Sequence, residues 1–235
     1  MIYLNLLTTI QEKRKSIVIF TLSMMAFKSS GQTASEQNQT DFHTWTSIGV
    51  IHKLNEKWDF KLEEQLRLKE NSMTINQSFT DINIGHTLLQ NFKLNVGSRF
   101  INENVGPKKE DKKYFRFNID GNLTHKIYKF SLNNRLRYQN LNEFGNTNFS
   151  IRHARLETSL AYDLRKWKSM PKVSGEIFKR YINNETGQYE KYRLTFETEF
   201  KIKKTGTCAF FYRVDKGIAN KKTIQILGTK FYVRI

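Results

Sequence analysis

The sequence is short of cysteine, proline, acidic residues and long apolar runs. The single cysteine, Cys208, excludes an internal disulfide framework and any CxxC metal or redox motif. The 22 acidic residues stand against 39 lysines and arginines, so the formal net charge is +17 over 235 residues, the length of one domain. The longest apolar run, "IVIFTLSMMAF" at residues 17–27, is shorter than the roughly 20 residues that a membrane-spanning helix needs.

The first thirty-one residues have the organisation of a signal peptide. The basic segment "EKRKS" precedes the apolar run, and "SSGQ" follows it with Ser29 and Gly31 placed for cleavage. The sequence therefore predicts a signal peptide at 1–31, an N-terminal segment at 32–42 and one exported domain at 43–235. Because an exported chain leaves the cytoplasm, nucleic acid is not an expected partner in spite of the basic charge.

Apolar residues recur at every second position in most of the remaining chain. The stretch "WDFKLEEQLRL" at 58–68 contains good helix formers, yet its apolar residues would share one face of a strand, interrupted by Glu64. The same alternation returns in "FKLNVGSRF", "YFRFNIDGNL" and "IYKFSLNNRLRY". A repeated two-residue period predicts an all-β domain.

The spacing of these segments is typical of an outer-membrane barrel. Eleven segments begin near His43, Trp58, Ser78, Phe92, Lys113, Ile127, Ser150, Pro171, Tyr189, Gly206 and Thr223. Short links at 54–57, 89–91, 125–126 and 202–205 alternate with longer ones at 69–77, 101–112, 139–149, 181–188 and 216–222, as periplasmic turns alternate with extracellular loops. Since bacterial barrels have even strand numbers, we predict an antiparallel up-and-down transmembrane β-barrel of about 12 strands, with the extra strand in 35–42 and ten as the alternative.

Alternation alone does not say which face points inward. A closed barrel of this size would leave a soluble protein a wide lumen to fill with apolar side chains, whereas a membrane barrel turns that face to lipid. Aromatic residues fall near the predicted strand ends, as in the girdles of membrane barrels. The predicted girdles contain Trp58 and Trp167 at the short-turn end, and Tyr114, Tyr138 and Tyr189 at the long-loop end.

The C-terminal residues and the loops suggest partners. The ending "LGTKFYVRI" alternates Leu227, Phe231, Val233 and Ile235, which resembles the signal read by the barrel-insertion machinery during assembly. The basic loops 107–113 and 219–222 could contact lipopolysaccharide, although a charge run in a loop is more often only solvated. The expected location is therefore the bacterial outer membrane, with its lipid as partner.

Two segments carry a resemblance to a known family. The stretch "TWTSIGVIHKLNEKWDFKLEEQLRL", in which a short turn leads into Trp58 and on to Arg67, and the basic strand "RLRYQ" resemble domain-of-unknown-function family 2490, an uncharacterised bacterial outer-membrane β-barrel family. The resemblance covers about residues 42–235 and implies a fold. It implies no activity.

The polar face of the predicted strands carries charges of both signs, with arginine in excess. If this face lines the lumen, arginines opposed to carboxylates fill it through bidentate hydrogen bonds. The sequence predicts either a plugged structural interior or a narrow anion-favouring pore. The predicted lumen charge network comprises Glu63, Arg67, Arg99, Arg116, Asp120, Arg135, Arg137, Arg155, Glu157, Arg193, Glu197, Glu199 and Arg213.

Two other classes of protein remain open from the sequence, a lipid-modifying outer-membrane enzyme and a soluble exported β-barrel binding protein. Catalysis by a serine and histidine requires both groups on one face within hydrogen-bond reach. His153 shares the polar face with Arg155, and His86 on the apolar-leaning face has no obvious serine opposite it. No GxSxG, HExxH, P-loop, GxGxxG or zinc spacing occurs, so no catalytic residue, metal site or cofactor is predicted.

Overall fold

The computed structural model describes residues 40–106, 111–182, 187–202 and 206–235, without the side chains at positions 147, 148 and 165. The predicted signal peptide, 1–31, and most of the predicted segment 32–42 lie outside the described residues. Among the described residues, no helix is long and apolar enough to cross a membrane.

The described residues form eleven β-strands and one 3-10 turn, Arg165–Trp167. The strands are β1 Thr40–Lys53, β2 Trp58–Lys69, β3 Thr74–Leu89, β4 Phe92–Glu103, β5 Lys112–Ile127, β6 Phe130–Glu143, β7 Asn146–Tyr162, β8 Ser169–Ile182, β9 Gln188–Ile202, β10 Gly206–Gly217 and β11 Thr223–Arg234. The all-β barrel predicted from the two-residue period is confirmed.

Each strand pairs with its neighbours in sequence, and β1 pairs with β11 to close the barrel. Ten pairings are antiparallel, but the closing pair is parallel, in register from Thr40 beside Thr223 to Ile51 beside Arg234. An up-and-down chain with an odd number of strands must close in this way, because its first and last strands run in the same direction. The described strand count is thus one below the predicted twelve, and of the predicted extra strand at 35–42 only residues 40–42 are described, as the start of β1.

The parallel closure places the start of β1 and the end of β11 at opposite rims of the barrel. The N-terminal rim is the one at which Thr40 lies, and the C-terminal rim the one at which Ile235 lies. The N-terminal rim carries the connections 70–73, 104–111, 144–145, 183–187 and 218–222. The C-terminal rim carries the connections 54–57, 90–91, 128–129, 163–168 and 203–205.

Two loops predicted to be long are tight turns, because the strands on both sides extend further than the alternation indicates. The predicted loop 69–77 reduces to 70–73, where Glu70, Asn71 and Ser72 have φ of 55°, 56° and 66°. The Asp41 carboxylate accepts the backbone N–H groups of Glu70 and Asn71 at 3.4 and 3.2 Å, which stabilises this left-handed turn. The predicted loop 139–149 reduces to 144–145, whose Gly145 has φ of 78°.

The strands turn their apolar face outward and their charged face inward. Leu136 is 62% exposed and Ile48 60%, whereas Asn118 and Asp120 are 0% and 3% exposed. In water such an outward apolar surface would cause aggregation, whereas in the hydrocarbon of a membrane its exposure is favourable. The arrangement is that of a membrane barrel and not that of a soluble barrel with an apolar interior.

Glu64 interrupts the outward apolar face near the middle of β2. It is exposed, lies between Ile48 and Thr80 on the neighbouring strands, and accepts a hydrogen bond from Thr80 Oγ1 at 2.5 Å. The threonine partner reduces the cost of placing a carboxyl group against lipid, since it satisfies one of the two oxygens.

Candidate functional site

The inward face of the barrel carries the predicted lumen residues. All thirteen are buried or half-buried, and they project to the same side of their strands as Asn118 and Asp81. The positions are Glu63, Arg67, Arg99, Arg116, Asp120, Arg135, Arg137, Arg155, Glu157, Arg193, Glu197, Glu199 and Arg213. Twelve of the thirteen line one or both of two cavities, and the thirteenth, Glu199, forms an ion pair at 3.6 Å with Arg234, which lines one of them.

Two cavities that share several residues occupy the lumen, one towards each rim, and a third, of about 720 Å³, is lined by Ser131, Ala161 and Glu199 near the C-terminal rim. The N-terminal cavity has a volume of about 560 Å³ and includes Gln77 and Arg180 near the N-terminal rim. The C-terminal cavity has a volume of about 690 Å³ and includes Lys53 and Ile235 near the C-terminal rim. Both volumes lie within the range of small-molecule binding sites.

Four cationic side chains line both cavities and so form a central layer between them: Arg99, Arg135, Arg137 and Lys230. Carboxylates hold each of them in place. Arg137 donates to both oxygens of Asp120 at 2.6 and 2.5 Å, Arg99 donates to Asp81, and Lys230 donates to Glu197 at 2.5 Å. Bidentate pairing of this kind fixes the guanidinium groups and narrows the lumen at its centre.

Arginine predominates around the N-terminal cavity. Twelve lysine and arginine side chains line it among the described residues, together with four carboxylates. One of these carboxylates, Glu176, is 5% exposed and contacts three arginines. Arg135 and Arg155 each lie 2.8 Å from its carboxylate, and Arg193 lies 3.5 Å away.

Arg67 and Arg213 have no carboxylate partner among the described residues, and both lie beside Trp45. The Arg67 guanidinium carbon is 3.7 Å from the centre of the indole ring and that of Arg213 is 5.1 Å from it. Arg67 donates to Gln65 at 2.7 Å, and Arg213 donates to Thr195 Oγ1 at 3.0 Å. The direct contacts of these two guanidinium groups are therefore with aromatic rings and neutral oxygens.

Packing at the parallel closure of the barrel explains how Trp45 is held inside. Trp45 on β1 and Phe211 on β10 lie on either side of Gly228 on β11, and their rings meet edge to face with centres 6.4 Å apart. A Cβ at Gly228 would come within 2.1 Å of the Phe211 ring. Together with Ile226, which is fully buried, these rings form an inward apolar cluster beneath the arginines.

The sequence patterns did not indicate these inward aromatic residues. Phe79 and Phe178 are 3% and 4% exposed, and they lie under guanidinium groups in the same way as Trp45. Their positions on the charged face of β3 and β8 are the sequence feature that could have indicated their inward orientation. An aromatic residue at a luminal position between arginines is a stacking partner for them.

The C-terminal cavity has a smaller excess of positive charge, with eight lysine and arginine side chains against four carboxylates among the described residues. Each of its four lining carboxylates forms an ion pair with a lysine or arginine that lines the same cavity. Glu63 lies 2.5 Å from Lys61 and also accepts a hydrogen bond from the Tyr232 hydroxyl at 2.8 Å. Asp59 is paired with Lys93 near the C-terminal rim.

The two cavities also differ in their unpartnered polar atoms. Five buried donor atoms around the N-terminal cavity have no hydrogen-bond partner among the described residues: Trp45 Nε1, Arg116 Nε and Nη2, Arg135 Nε and Arg180 Nε. Around the C-terminal cavity the same is true of Asn122 Nδ2 and Arg135 Nε. Since a buried donor without a partner is costly, an acceptor group placed in the N-terminal cavity would be stabilised by these donors.

The predicted girdle residues occupy different positions. Trp58 and Trp167 are 42% and 75% exposed at the C-terminal rim, and Tyr189 is 56% exposed at the N-terminal rim. Tyr138 is exposed on the outward face but lies well inside β6. The prediction for Tyr114 is wrong: this residue is 8% exposed on the inward face, with its ring 5.7 Å from that of Phe149, because it shares the strand parity of Arg116.

The two histidines considered for catalysis have different environments. His153 is buried on the inward face, where it contacts Gln139 at 3.3 Å and Glu190 at 2.9 Å. His86 stacks on Trp58 with ring centres 4.1 Å apart. Neither is hydrogen-bonded to a serine among the described residues, and no group of three or more potential metal ligands occurs among them.

An inside-out barrel with a charged, narrowed lumen defines the class of protein as an outer-membrane β-barrel. The sequence profile for a protein of unknown function, DUF2490, matches residues 42–220. The chain belongs to this family, which confirms the resemblance found in the sequence. None of the curated proteins compared with the chain matches it.

Two solved outer-membrane proteins share the fold at low sequence identity. A bacterial polysaccharide outer membrane secretin is 7% identical with a TM-score of 0.51, over 76% of this chain and 64% of that chain. LpxR from Salmonella typhimurium is 8% identical with a TM-score of 0.50, over 75% of this chain and 83% of that chain. OmpT of Vibrio cholerae is 12% identical with a TM-score of 0.41, over 71% of this chain and 52% of that chain. This chain therefore spans about half the length of that protein.

Proposed function

We propose that the barrel is a narrow, anion-favouring pore whose selectivity originates in the N-terminal cavity. The observation that supports this is the excess of lysine and arginine over carboxylate around that cavity, twelve side chains against four among the described residues. Fixed positive charge concentrated in a narrow passage attracts anions and repels cations.

The central layer sets the resistance of the pore. Solutes that pass from one cavity to the other must move between Arg99, Arg135, Arg137 and Lys230, which ion pairs hold in the lumen. We expect a small conductance for this reason, and passage of small ions only. Outer-membrane lipid, lipopolysaccharide at the loops and the insertion machinery are the partners that accompany this proposal.

The proposal is tested by recording refolded protein in planar bilayers under a gradient of potassium chloride. The expected result is a small conductance whose reversal potential shows a preference for chloride. A reversal potential that shows a preference for potassium, or the absence of conductance in a correctly folded barrel, would contradict the proposal and leave the plugged structural interior.

A further inference from the structure

One unpartnered donor of the N-terminal cavity, Trp45 Nε1, belongs to a residue that lies beside both arginines without a carboxylate partner. Trp45 is 7% exposed, and its indole N–H has no acceptor among the described residues. Arg67 and Arg213 lie on the same indole ring, at 3.7 and 5.1 Å from its centre. Three donor groups with no direct anionic partner among the described residues thus lie around one point of the cavity wall, the Trp45 indole.

We propose that this point is a binding site for a phosphate-type oxyanion, formed by Trp45, Arg67 and Arg213. The proposal rests on the proposed function and names the substrate class of the same lumen. Two unneutralised guanidinium groups match a dianion, and several acceptor oxygens around one centre can reach donors that approach from different sides.

Neighbouring residues orient the arginines for this role. Gln65 donates to Ser47 Oγ at 2.5 Å and accepts from Arg67 Nε at 2.7 Å, while Gln77 accepts from Arg67 Nη1 at 3.4 Å. Neutral amides fix the side chain without cancelling its charge. A glutamate at either position would have formed an ion pair with Arg67 and removed the site's affinity for anions.

Arg116 extends the site across the cavity. It is 8% exposed, its nearest described carboxylate oxygen, in Asp81, is 3.8 Å away, and its Nε and Nη2 atoms have no hydrogen-bond partner among the described residues. The cavity volume of about 560 Å³ leaves room for more than an inorganic ion. The site therefore fits either free phosphate or the phosphate group of a small phosphorylated solute.

The fluorescence of the protein's own tryptophans can measure phosphate binding. Of its three tryptophans, Trp58 and Trp167 lie exposed at the C-terminal rim, so the Trp58→Phe, Trp167→Phe variant reports on Trp45 alone. Folded in detergent micelles at constant ionic strength, it is titrated with inorganic phosphate, glucose 6-phosphate and chloride. We expect a saturable change in emission with a dissociation constant of about 1 mM or below for phosphate, and none for chloride.

Charge-matched variants locate the site. In the same background, Arg67→Gln and Arg213→Gln should each weaken phosphate binding by about tenfold or more. Lys61→Gln and Lys93→Gln each remove the same charge from the C-terminal cavity, and each should change the dissociation constant for phosphate by less than about twofold. Isothermal titration calorimetry on the unmodified protein repeats the comparison without relying on fluorescence, and heat-modifiable migration shows that each variant is folded.

The outcomes separate this inference from the proposed pore. A flat titration in both measurements, an equal response to chloride, or equal losses in both cavities would overturn the phosphate site. Phosphate binding without bilayer conductance would support the phosphate site and contradict the proposed pore. Conductance without phosphate binding would support the pore and contradict the phosphate site. Binding of glucose 6-phosphate as tightly as phosphate supports a phosphorylated solute, and binding of phosphate alone supports the free ion.

Discussion

In the C-terminal cavity each carboxylate sits against a cation, as Glu63 does with Lys61, whereas in the N-terminal cavity Glu176 is shared by three arginines and Arg67 and Arg213 have no carboxylate among the described residues. Strands β1–β6 and β11 line both cavities, whereas β7, β8, β9 and β10 line only the N-terminal one. The difference therefore reflects the inward side chains that these four strands add, among them Glu176, Arg193 and Arg213.

Filling a lumen does not require excess charge. Paired charges or neutral amides hydrogen-bond equally well and add no net charge. Unpaired, half-buried arginines repel one another and lower stability. Where a fold bears more of this cost in one half of its interior than in the other, the costlier half is the better candidate for binding.

The largest expected effect concerns the shared carboxylate. Glu176→Gln removes the charge that Arg135, Arg155 and Arg193 surround, and leaving buried cations uncompensated costs about 3–5 kcal/mol. Urea unfolding in phospholipid vesicles measures the loss. Glu63→Gln is the matched change in the C-terminal cavity, where one lysine and the Tyr232 hydroxyl are affected, and should cost about 1–3 kcal/mol. Equal losses would mean that the two cavities do not differ energetically.

Much of the fold could be predicted from the sequence, because the side chains of a strand alternate between two faces. The alternation in "WDFKLEEQLRL" predicts β2, and the same rule assigns Arg67 and Glu63 to the inward face. The turn at 144–145 was missed because Asn and Glu residues resemble a loop in composition. In the structure, Asn142 and Glu143 complete β6 beside a β-bulge instead.

The candidate site was only partly predictable. Alternation predicts which side a residue faces, but contacts across the lumen depend on how the barrel closes. Trp45 meets Arg213 because β1 pairs with β11 in parallel, and the even-number rule pointed to a different closure. The lack of a partner for the Trp45 indole N–H likewise follows from three-dimensional packing, which no local pattern records.

An intermediate effect is expected for ion selectivity. The Arg67→Gln, Arg213→Gln double variant removes two unpaired positive charges from the N-terminal cavity and should lower the permeability ratio of chloride to potassium about fivefold, equivalent to about 1 kcal/mol. Lys61→Gln combined with Glu63→Gln removes one ion pair from the C-terminal cavity without changing net charge and should leave the reversal potential unchanged. A shift of equal size in both variants would contradict the assignment of selectivity to the N-terminal cavity.

The smallest effect is expected at the C-terminal rim, where Asp59 pairs with Lys93 and both side chains are about a third exposed, 27% and 35%. Water screens this pair and side-chain entropy opposes it, so Asp59→Asn should change the free energy of unfolding by less than about 1 kcal/mol, and less again at high salt. The same urea titration in vesicles measures the change. A loss as large as that of Glu176→Gln would show that exposure does not rank these ion pairs, and the contrast between the cavities would then have to rest on charge excess alone.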